Sequence, residues 1–223
     1  SGSLFDTELI ADQVRLTEEI VHDFWRRHFY EASSLFVRYV IDKKLGPATL
    51  MSLFEKVAAR PYLKIVPDTK IPDTSREEKA FHVGFQQVRE AWKTDKQEVI
   101  MVLTTDEGLS RVKYPRASIA AWVDQMDELV AEGGKGPLLF ESFGKFTTEH
   151  LQQSMKKGCQ APVHRFFGFC QDLRQKQEEL VAGFEHRLLG LKVRLFHELQ
   201  EELVRRKEKQ NVQSFDDLLL KLH

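Results

Sequence analysis

The sequence predicts a mainly α protein of seven to nine helices, with one long helix toward its C-terminal end. Residues 163–209 contain no proline, and their apolar side chains recur every three or four residues, which places them on one stripe of an α-helix. Signals for helix starts and stops recur along the rest of the chain. No series of alternating strands is present, so we predict no nucleotide-binding sheet.

The composition limits the class of protein. A chain of 223 residues can bury a large core, and we predict one helical domain over residues 1–223 rather than two small domains. The 33 basic and 34 acidic residues nearly cancel, so any attraction for an anionic partner must be local. Cys159 and Cys170 are the two cysteines, which argues against a disulfide framework or a structural zinc site and favours a reducing, cytoplasmic setting. No apolar run is as long as a membrane span, so we expect no membrane partner.

Three helices and a loop are predicted in the first third of the chain. Apolar residues keep a mostly helical spacing over residues 5–30, and a second helix runs through residues 35–40. Gly46 and Pro47 end that helix, and Pro47 suits the first position of the next one. Residues 60–72 include three prolines and are predicted to form a loop.

A well-marked helix start follows this loop. Thr74 with Glu77, and Ser75 with Glu78, form two overlapping capping boxes. The apolar residues that follow at helical spacing are Phe81, Phe85, Val88 and Trp92.

The next signals are less direct. Residues 99–103 suit a strand as well as a helix, and we predict a short helical continuation capped by Asp95 and Glu98, because no second strand-like run is present to pair with it. Ser118 is predicted to cap the following helix, and residues 133–137, rich in glycine, end it.

Two more helices complete the prediction for the body of the chain. Thr148 caps a helix that ends at Lys157 and Gly158, where glycine suits the left-handed residue after a C-terminus. The long helix follows, with Gly183 and Gly190 as the positions where it is most easily broken.

A fresh helix start lies at the end of the sequence. Ser214 is placed as a helix cap with Asp217 three residues later, and the chain stops nine residues beyond Ser214. We therefore expect the chain to be a piece of a larger protein, with residues 214–223 leading into its next part.

No catalytic, cofactor or metal site is predicted. Residues 133–136 hold glycines and a lysine but lack the spacing of a phosphate-binding loop and the strand before it. The six-residue gap between His22 and His28 does not match a pair of metal ligands on a helix. Asp216 and Asp217 are adjacent, so they point in different directions and do not form a shared-proton pair.

Local charge carries more information. Residues 143–176 contain six basic residues against two acidic ones, and residues 111–116 contain three basic residues, an aromatic residue and no acid. Such segments can contact phosphates, although a solvated surface is the alternative interpretation. The candidate DNA-binding residues are Arg111, Lys113, Arg116, Lys156, Lys157 and Arg165.

Blocks at both ends of the chain resemble the RecB subunit of the RecBCD helicase-nuclease (exodeoxyribonuclease V). The residues that carry the resemblance are Leu4-Phe5, Asp23-Phe24-Trp25-Arg26-Arg27-His28, Tyr30, Lys145-Phe146, Leu151, Lys157-Gly158, Pro162, His164, Phe166-Phe167 and Phe215-Asp216-Asp217-Leu218-Leu219. The end blocks are the more specific ones, and residues 33–108 match only as helical filler. The motor motifs and nuclease carboxylates of the family have no counterpart in this sequence.

The resemblance implies a non-catalytic accessory domain, inserted in the first motor domain, that contacts duplex DNA ahead of the unwinding junction during recombination and double-strand break repair. ATP and magnesium would then be bound by the parent protein rather than by this chain. The implied partners are duplex DNA and RecC-like and RecD-like subunits. The alternative is a structural or subunit-interaction module that does not contact DNA. Both ends of the chain would join one motor domain, so we expect them to lie near each other.

Overall fold

The computed structural model describes residues 3–58 and 70–210, and these residues are predominantly helical. Their α-helices are α1 (Ser3–Phe29), α2 (Ser34–Asp42), α3 (Pro47–Ala58), α4 (Ser75–Thr105), α5 (Arg116–Glu132), α6 (Thr148–Gln152) and α7 (Arg165–Gln210), with a 3₁₀ helix at Glu141–Phe146 between α5 and α6. Within the described ranges there is no strand, and the one β-type pairing is an antiparallel bridge between Leu109 and Met155. The prediction of a mainly α fold with a long C-terminal helix is confirmed. No helix among these residues has the length and apolar character that a bilayer crossing requires.

The chain divides into two compact units. The first comprises residues 1–33, 40–72 and 186–223, and the second comprises residues 34–39 and 73–185. Helices α2 and α7 contribute residues to both units. A single domain over residues 1–223 stays a prediction.

The first three helices agree with the sequence pattern. Helix α1 extends the predicted 5–30 stretch by two residues at its start and ends one residue earlier, and α3 begins at Pro47 as predicted. Residues 60–69 of the predicted loop lie outside the described residues. The predicted helix start at Ser214 and the proximity of the two chain ends also lie outside them.

Helix α4 begins where the capping signals place it, but the bonds differ from a capping box. Thr74 is the N-cap residue and makes no side-chain bond to a helix N–H; its hydroxyl instead donates to Oε1 of Glu78 at 2.8 Å. The helix then continues without a break to Thr105, so the predicted helical conformation of residues 99–103 is confirmed. The predicted caps at Asp95 and Glu98 are wrong, because both residues lie inside α4.

The predicted start of α5 and the predicted end of α6 are wrong. A proline sets the first boundary, and non-local backbone pairing sets the second. Helix α5 begins two residues before Ser118, since Pro115 is its N-cap and the Pro115 carbonyl accepts from the N–H of Ser118 at 3.0 Å. Helix α6 is capped by Thr147, whose hydroxyl accepts from the N–H of His150, and it ends at Gln152 rather than at residue 157. The backbone just after α6 pairs with residues 108–110 instead of continuing the helix.

Helix α7 is unbroken over 46 residues, and it continues through Gly183 and Gly190, the two positions predicted to break most easily. Its start is supported by His164, whose Nδ1 accepts from the N–H of Phe166 at 3.2 Å. At Gly183 an added Cβ would lie 3.2 Å from the methyl of Thr74, so glycine permits a close approach of the two segments. Gly183 therefore serves packing and does not break the helix.

Aromatic rings form the core of the second unit. Trp92 of α4, Phe146 of the 3₁₀ helix and Phe166 of α7 are buried and lie 5.1–6.0 Å apart, centroid to centroid. The indole N–H of Trp92 donates to Asp127 of α5 at 2.8 Å. One tryptophan therefore joins the 3₁₀ helix, α5 and α7 to α4.

Replacing Phe146 by alanine should lower the free energy of unfolding by about 3–5 kcal/mol, because it removes a fully buried ring from this cluster. Urea unfolding followed by tryptophan fluorescence measures the change. Val112, which is 91% exposed, provides the control: Val112→Ala should change stability by less than about 0.5 kcal/mol. Similar losses in both variants would contradict the assigned core.

In the first unit, His28 of α1 is a titratable group in a largely buried position. Its Nε2 lies 3.9 Å from Oε1 of Glu198, which is too long for a hydrogen bond, and the side chain is 19% exposed. Burial lowers the pKa of His28, and the nearby positive charges of Arg194, Arg27 and Arg187 lower it further, whereas Glu198 opposes them. The folded chain therefore favours neutral His28.

This environment predicts a pH dependence of stability. Below the ordinary histidine pKa of 6.5, the unfolded chain takes up a proton at His28 before the folded chain does. Stability should therefore fall as the pH falls through and below 6.5. His28→Gln should reduce this loss when urea unfolding is compared at pH 7.5 and 5.5, and an identical loss in both proteins would exclude His28 as its source.

Candidate nucleic-acid interface

Two cationic segments that are separate in sequence are joined in the second unit. The N–H of Ser110 donates to the carbonyl of Ser154 at 2.9 Å, and the N–H of Lys156 donates to the carbonyl of Gly108 at 2.8 Å. These bonds flank the Leu109–Met155 bridge. Residues 111–116 and 145–157 therefore lie side by side, and we call Lys113, Arg116, Lys145, Lys156 and Lys157 the cationic surface.

The lysines of the cationic surface bond to backbone carbonyls. Lys113 Nζ donates to the carbonyl of Gln153 at 2.7 Å, and Lys156 Nζ donates to the carbonyl of Glu107 at 2.7 Å. Within the part of the chain that the structure describes, neither ammonium has a carboxylate within salt-bridge distance. Their positive charge is therefore held in place without being cancelled by a neighbouring anion.

Arg116 and Lys157 are exposed, and neither side chain makes a hydrogen bond or an ion pair with another described residue. Each is close in sequence to a lysine that is fixed by a carbonyl. These two residues leave all of their donors available to an external anion.

Arg111 was predicted to contact DNA, but its side chain bonds to the backbone at the end of α4. Its guanidinium donates to the carbonyls of Leu103, Thr104 and Asp106, at 2.7, 3.0 and 2.6 Å. These carbonyls belong to the C-terminal end of α4, where acceptors lack helical partners and the helix dipole favours a cation. Arg111 thus caps α4, and its donors are directed into the fold.

Arg165 is ion-paired. Its guanidinium contacts both carboxylate oxygens of Asp95 at 2.6 Å, and Nη2 also contacts the hydroxyl of Thr94 at 3.1 Å. The bonds from Arg165, followed by the bond from Thr94, hold the pKa of the Asp95 carboxyl well below its usual range. The Arg165 charge is therefore balanced at the first turn of α7, and DNA contact by the six residues predicted from sequence stays a prediction.

Lys145 was counted in the basic excess but not among the predicted contact residues. Its Nζ lies 5.4 Å from the ring centroids of both Tyr114 and Trp122, and it donates to the carbonyl of Lys113 at 3.3 Å. The Tyr114 hydroxyl in turn donates to the Lys145 carbonyl at 2.8 Å. Burial, and then the charge of Lys113, lower the pKa of Lys145. No sequence signal identifies this role, since Tyr114 and Trp122 are remote from Lys145 in the chain.

The arrangement offers charge and shape rather than reactive groups. Among the described residues, no group of three or more histidine, cysteine, aspartate or glutamate side chains is placed to hold a metal ion. Cys170 is fully buried, and burial raises the pKa of its thiol, so the reactive thiolate is disfavoured there.

The fold and the cationic surface define a helical module that carries a local group of basic side chains. No family model matches the chain. Over its whole length the chain is similar to the RecBCD enzyme subunit RecB of Escherichia coli (strain K12), with 27% identity over 224 residues that make up 18% of RecB. RecB of Haemophilus influenzae is 22% identical over 251 residues, which cover 98% of this chain and 20% of that protein. The chain thus spans about a fifth of the length of these curated relatives, and the resemblance to RecB predicted from the sequence blocks is confirmed.

Arg111→Ala should lower the free energy of unfolding by about 1.5–3 kcal/mol, because three carbonyls lose a charged hydrogen-bond donor. Lys157→Ala removes an exposed cation that bonds to no other described side chain or carbonyl, so it should change stability by less than about 0.5 kcal/mol. Urea unfolding of both variants tests this difference. Equal stability of the two variants would contradict the capping role of Arg111 at the end of α4.

Proposed function

We propose that this chain is a non-catalytic accessory domain of a RecB-like DNA helicase and exonuclease that acts in double-strand break repair and recombination. In this proposal, the cationic surface contacts the phosphate backbone of duplex DNA ahead of the point at which the motor separates the strands. Similarity to RecB along the whole chain supports a RecB-like protein as the parent of this chain. The cationic surface supports the proposed contact with the phosphate backbone of DNA.

The observation that carries the proposal is that lysines of this surface are fixed by carbonyls rather than by carboxylates. An ammonium group has three N–H donors, and Lys113 and Lys156 each use one of them within the fold. The remaining donors and the full positive charge stay available. A phosphate can therefore bind without first displacing an acidic side chain.

Contacts of this kind would hold a duplex without reading its sequence. Phosphate contacts set the position and orientation of a protein on DNA, whereas base contacts specify sequence. The backbone pairing between residues 108–110 and 154–156 keeps the two cationic segments in register, so the surface would act as a fixed support. ATP and magnesium would be bound by the motor of the parent protein, in the cytoplasm, together with RecC-like and RecD-like subunits.

A subunit-interaction module is the second candidate, and a separate observation favours it. In the first unit, Leu53, Phe54, Leu189 and Phe196 line an apolar groove between α3 and α7. Leu53 and Leu189 are 43% and 52% exposed, which is a large exposure for leucine side chains that share one surface. A partner protein that covers this groove would use the chain as a structural brace.

Duplex binding by the 223-residue chain should be independent of sequence and should weaken as salt is raised. Arg116→Gln combined with Lys157→Gln should lower the slope of log affinity against log salt by about 2, and weaken binding by roughly ten- to a hundredfold at 0.1 M salt, since each lost phosphate contact changes the slope by about 0.9. Fluorescence anisotropy with a labelled 30-base-pair duplex provides the measurement.

The matched control is Arg76→Gln with Lys79→Gln, which removes the same two residue types from exposed positions at the start of α4. That end lies roughly 40 Å along the helix from the turn that Arg111 caps, at about 1.5 Å per residue. Equal affinities of the Arg116/Lys157 variant and the unaltered chain at every salt concentration would remove the cationic surface from the proposal. Undetectable duplex binding at low salt, with capture of a RecC-like protein that Leu53→Glu abolishes, would favour the second candidate.

A further inference from the structure

A cluster of positive groups surrounds His150 of α6. Lys145 Nζ lies 3.0 Å from His150 Nε2. An ammonium group can only donate, so Nε2 must accept, and His150 is neutral with its proton on Nδ1. Burial lowers the pKa of His150, and the charges of Lys145, Lys113 and Arg174 lower it further, in that order.

Arg174 reaches this cluster from α7. An added Cβ at Gly144 would lie 2.5 Å from Arg174 Nη1, so only glycine lets the guanidinium lie this close to the backbone that precedes Lys145. Its Nε pairs with Glu178 one helical turn away at 3.2 Å, and the side chain is 46% exposed. The Nη groups therefore face the turn that leads into Lys145 and His150.

Two carboxylates oppose the positive charge of this cluster: Glu178 pairs with Nε of Arg174, and Glu149 raises the pKa of His150. Despite them, Lys145, Lys113 and Arg174 all lower that pKa. Three cations around one half-buried imidazole repel one another, and each disfavours the protonation of His150. A bound anion would turn this repulsion into attraction.

We propose that Lys113, Lys145, His150 and Arg174 form a binding site for a single phosphate group. The ligand is an oxyanion, from the DNA backbone or free in solution. If the oxyanion is a phosphate of the DNA backbone, which we call the DNA form of the site, the inference rests on the proposed function. In that form these four residues would bind one backbone phosphate most tightly. The site unites the loop before α5, the end of the 3₁₀ helix, α6 and α7.

Binding at this site is coupled to a proton. When an oxyanion draws the Lys145 ammonium away, His150 Nε2 loses its donor and can take up a proton, and the imidazolium then donates to the anion. The groups that face His150 are Lys113, Lys145 and Arg174, with Glu149 as the opposing charge and the Tyr114 ring at 5.8 Å. Because the free site disfavours the proton and the occupied site favours it, affinity rises as the pH falls from 8 to 6, by up to about tenfold per pH unit.

The experiment follows the histidine ring signals of the 223-residue chain by NMR from pH 5 to 8, and assigns His150 by the signal that His150→Gln removes. Two probes are used separately: sulfate, which keeps a constant charge over this range, and a 20-base-pair duplex. Each probe should raise the His150 pKa. Arg174→Gln should abolish the rise, and Arg194→Gln should preserve it.

Arg194 is the matched control. It is 54% exposed and pairs with Glu198 four residues later, with Nε 3.0 Å from Oε1, just as Arg174 pairs with Glu178. Both variants remove one exposed arginine of α7 without changing the buried part of the cluster, so loss of folding does not decide the result.

Each outcome separates the two proposals. A rise with sulfate alone, while duplex binds without moving the His150 pKa, supports a free-oxyanion site and overturns its DNA form. A rise with sulfate from a chain that binds no duplex supports the site and rejects the proposed function. An unchanged His150 pKa with both probes, or the same response from the Arg174 and Arg194 variants, overturns the site even if the duplex binds elsewhere.

Discussion

The backbone pairing around Leu109 and Met155 is the constraint on which the cationic surface depends. Its hydrogen bonds are few, but they join the turn after α4 to the turn after α6. Side-chain bonds from Lys113 to Gln153 and from Tyr114 to Lys145 add to this pairing. A mainly helical chain thus uses one short antiparallel contact to bring basic residues from distant parts of its sequence close together.

The cations near this pairing fall into two groups: some stabilise elements of the fold, and others keep donors available to a partner. Arg111 gives its donors to the end of α4, and Arg165 gives its donors to Asp95, so these side chains stabilise elements. Lys113 and Lys156 are fixed by single carbonyl bonds and retain most of their donors. The difference lies in the partner: a carboxylate cancels charge, whereas a carbonyl orients it and leaves it available.

Lys145 connects the packing of the second unit to its electrostatics. Its ammonium lies over Tyr114 and Trp122, two aromatic side chains of the core. The same ammonium holds His150 in its neutral form. Charge in this region is therefore built onto the core of the second unit.

The sequence by itself determined the helical class, the presence of a long C-terminal helix, the start of α4 and the likeness to RecB, whereas the structure showed that this helix continues through Gly183 and Gly190. These features are local or periodic: a stripe with a period of 3.6 residues, a cap signal, or a block of consecutive residues is visible without knowledge of the fold. It also identified the segments that carry excess positive charge. It did not determine where α6 ends, because backbone partners more than forty residues away decide that boundary.

Only the tertiary structure decided what each cation does. Arg111 and Lys113 are two residues apart in one basic segment. Arg111 caps the C-terminal end of α4, whereas the exposed Lys113 donates to the single carbonyl of Gln153. Arg165 meets Asp95 across 70 residues, and Lys145 meets the Lys113 carbonyl across 32. A charge pattern in sequence fixes how many cations a segment carries, but the acceptors that fold against them determine which charges remain for a partner.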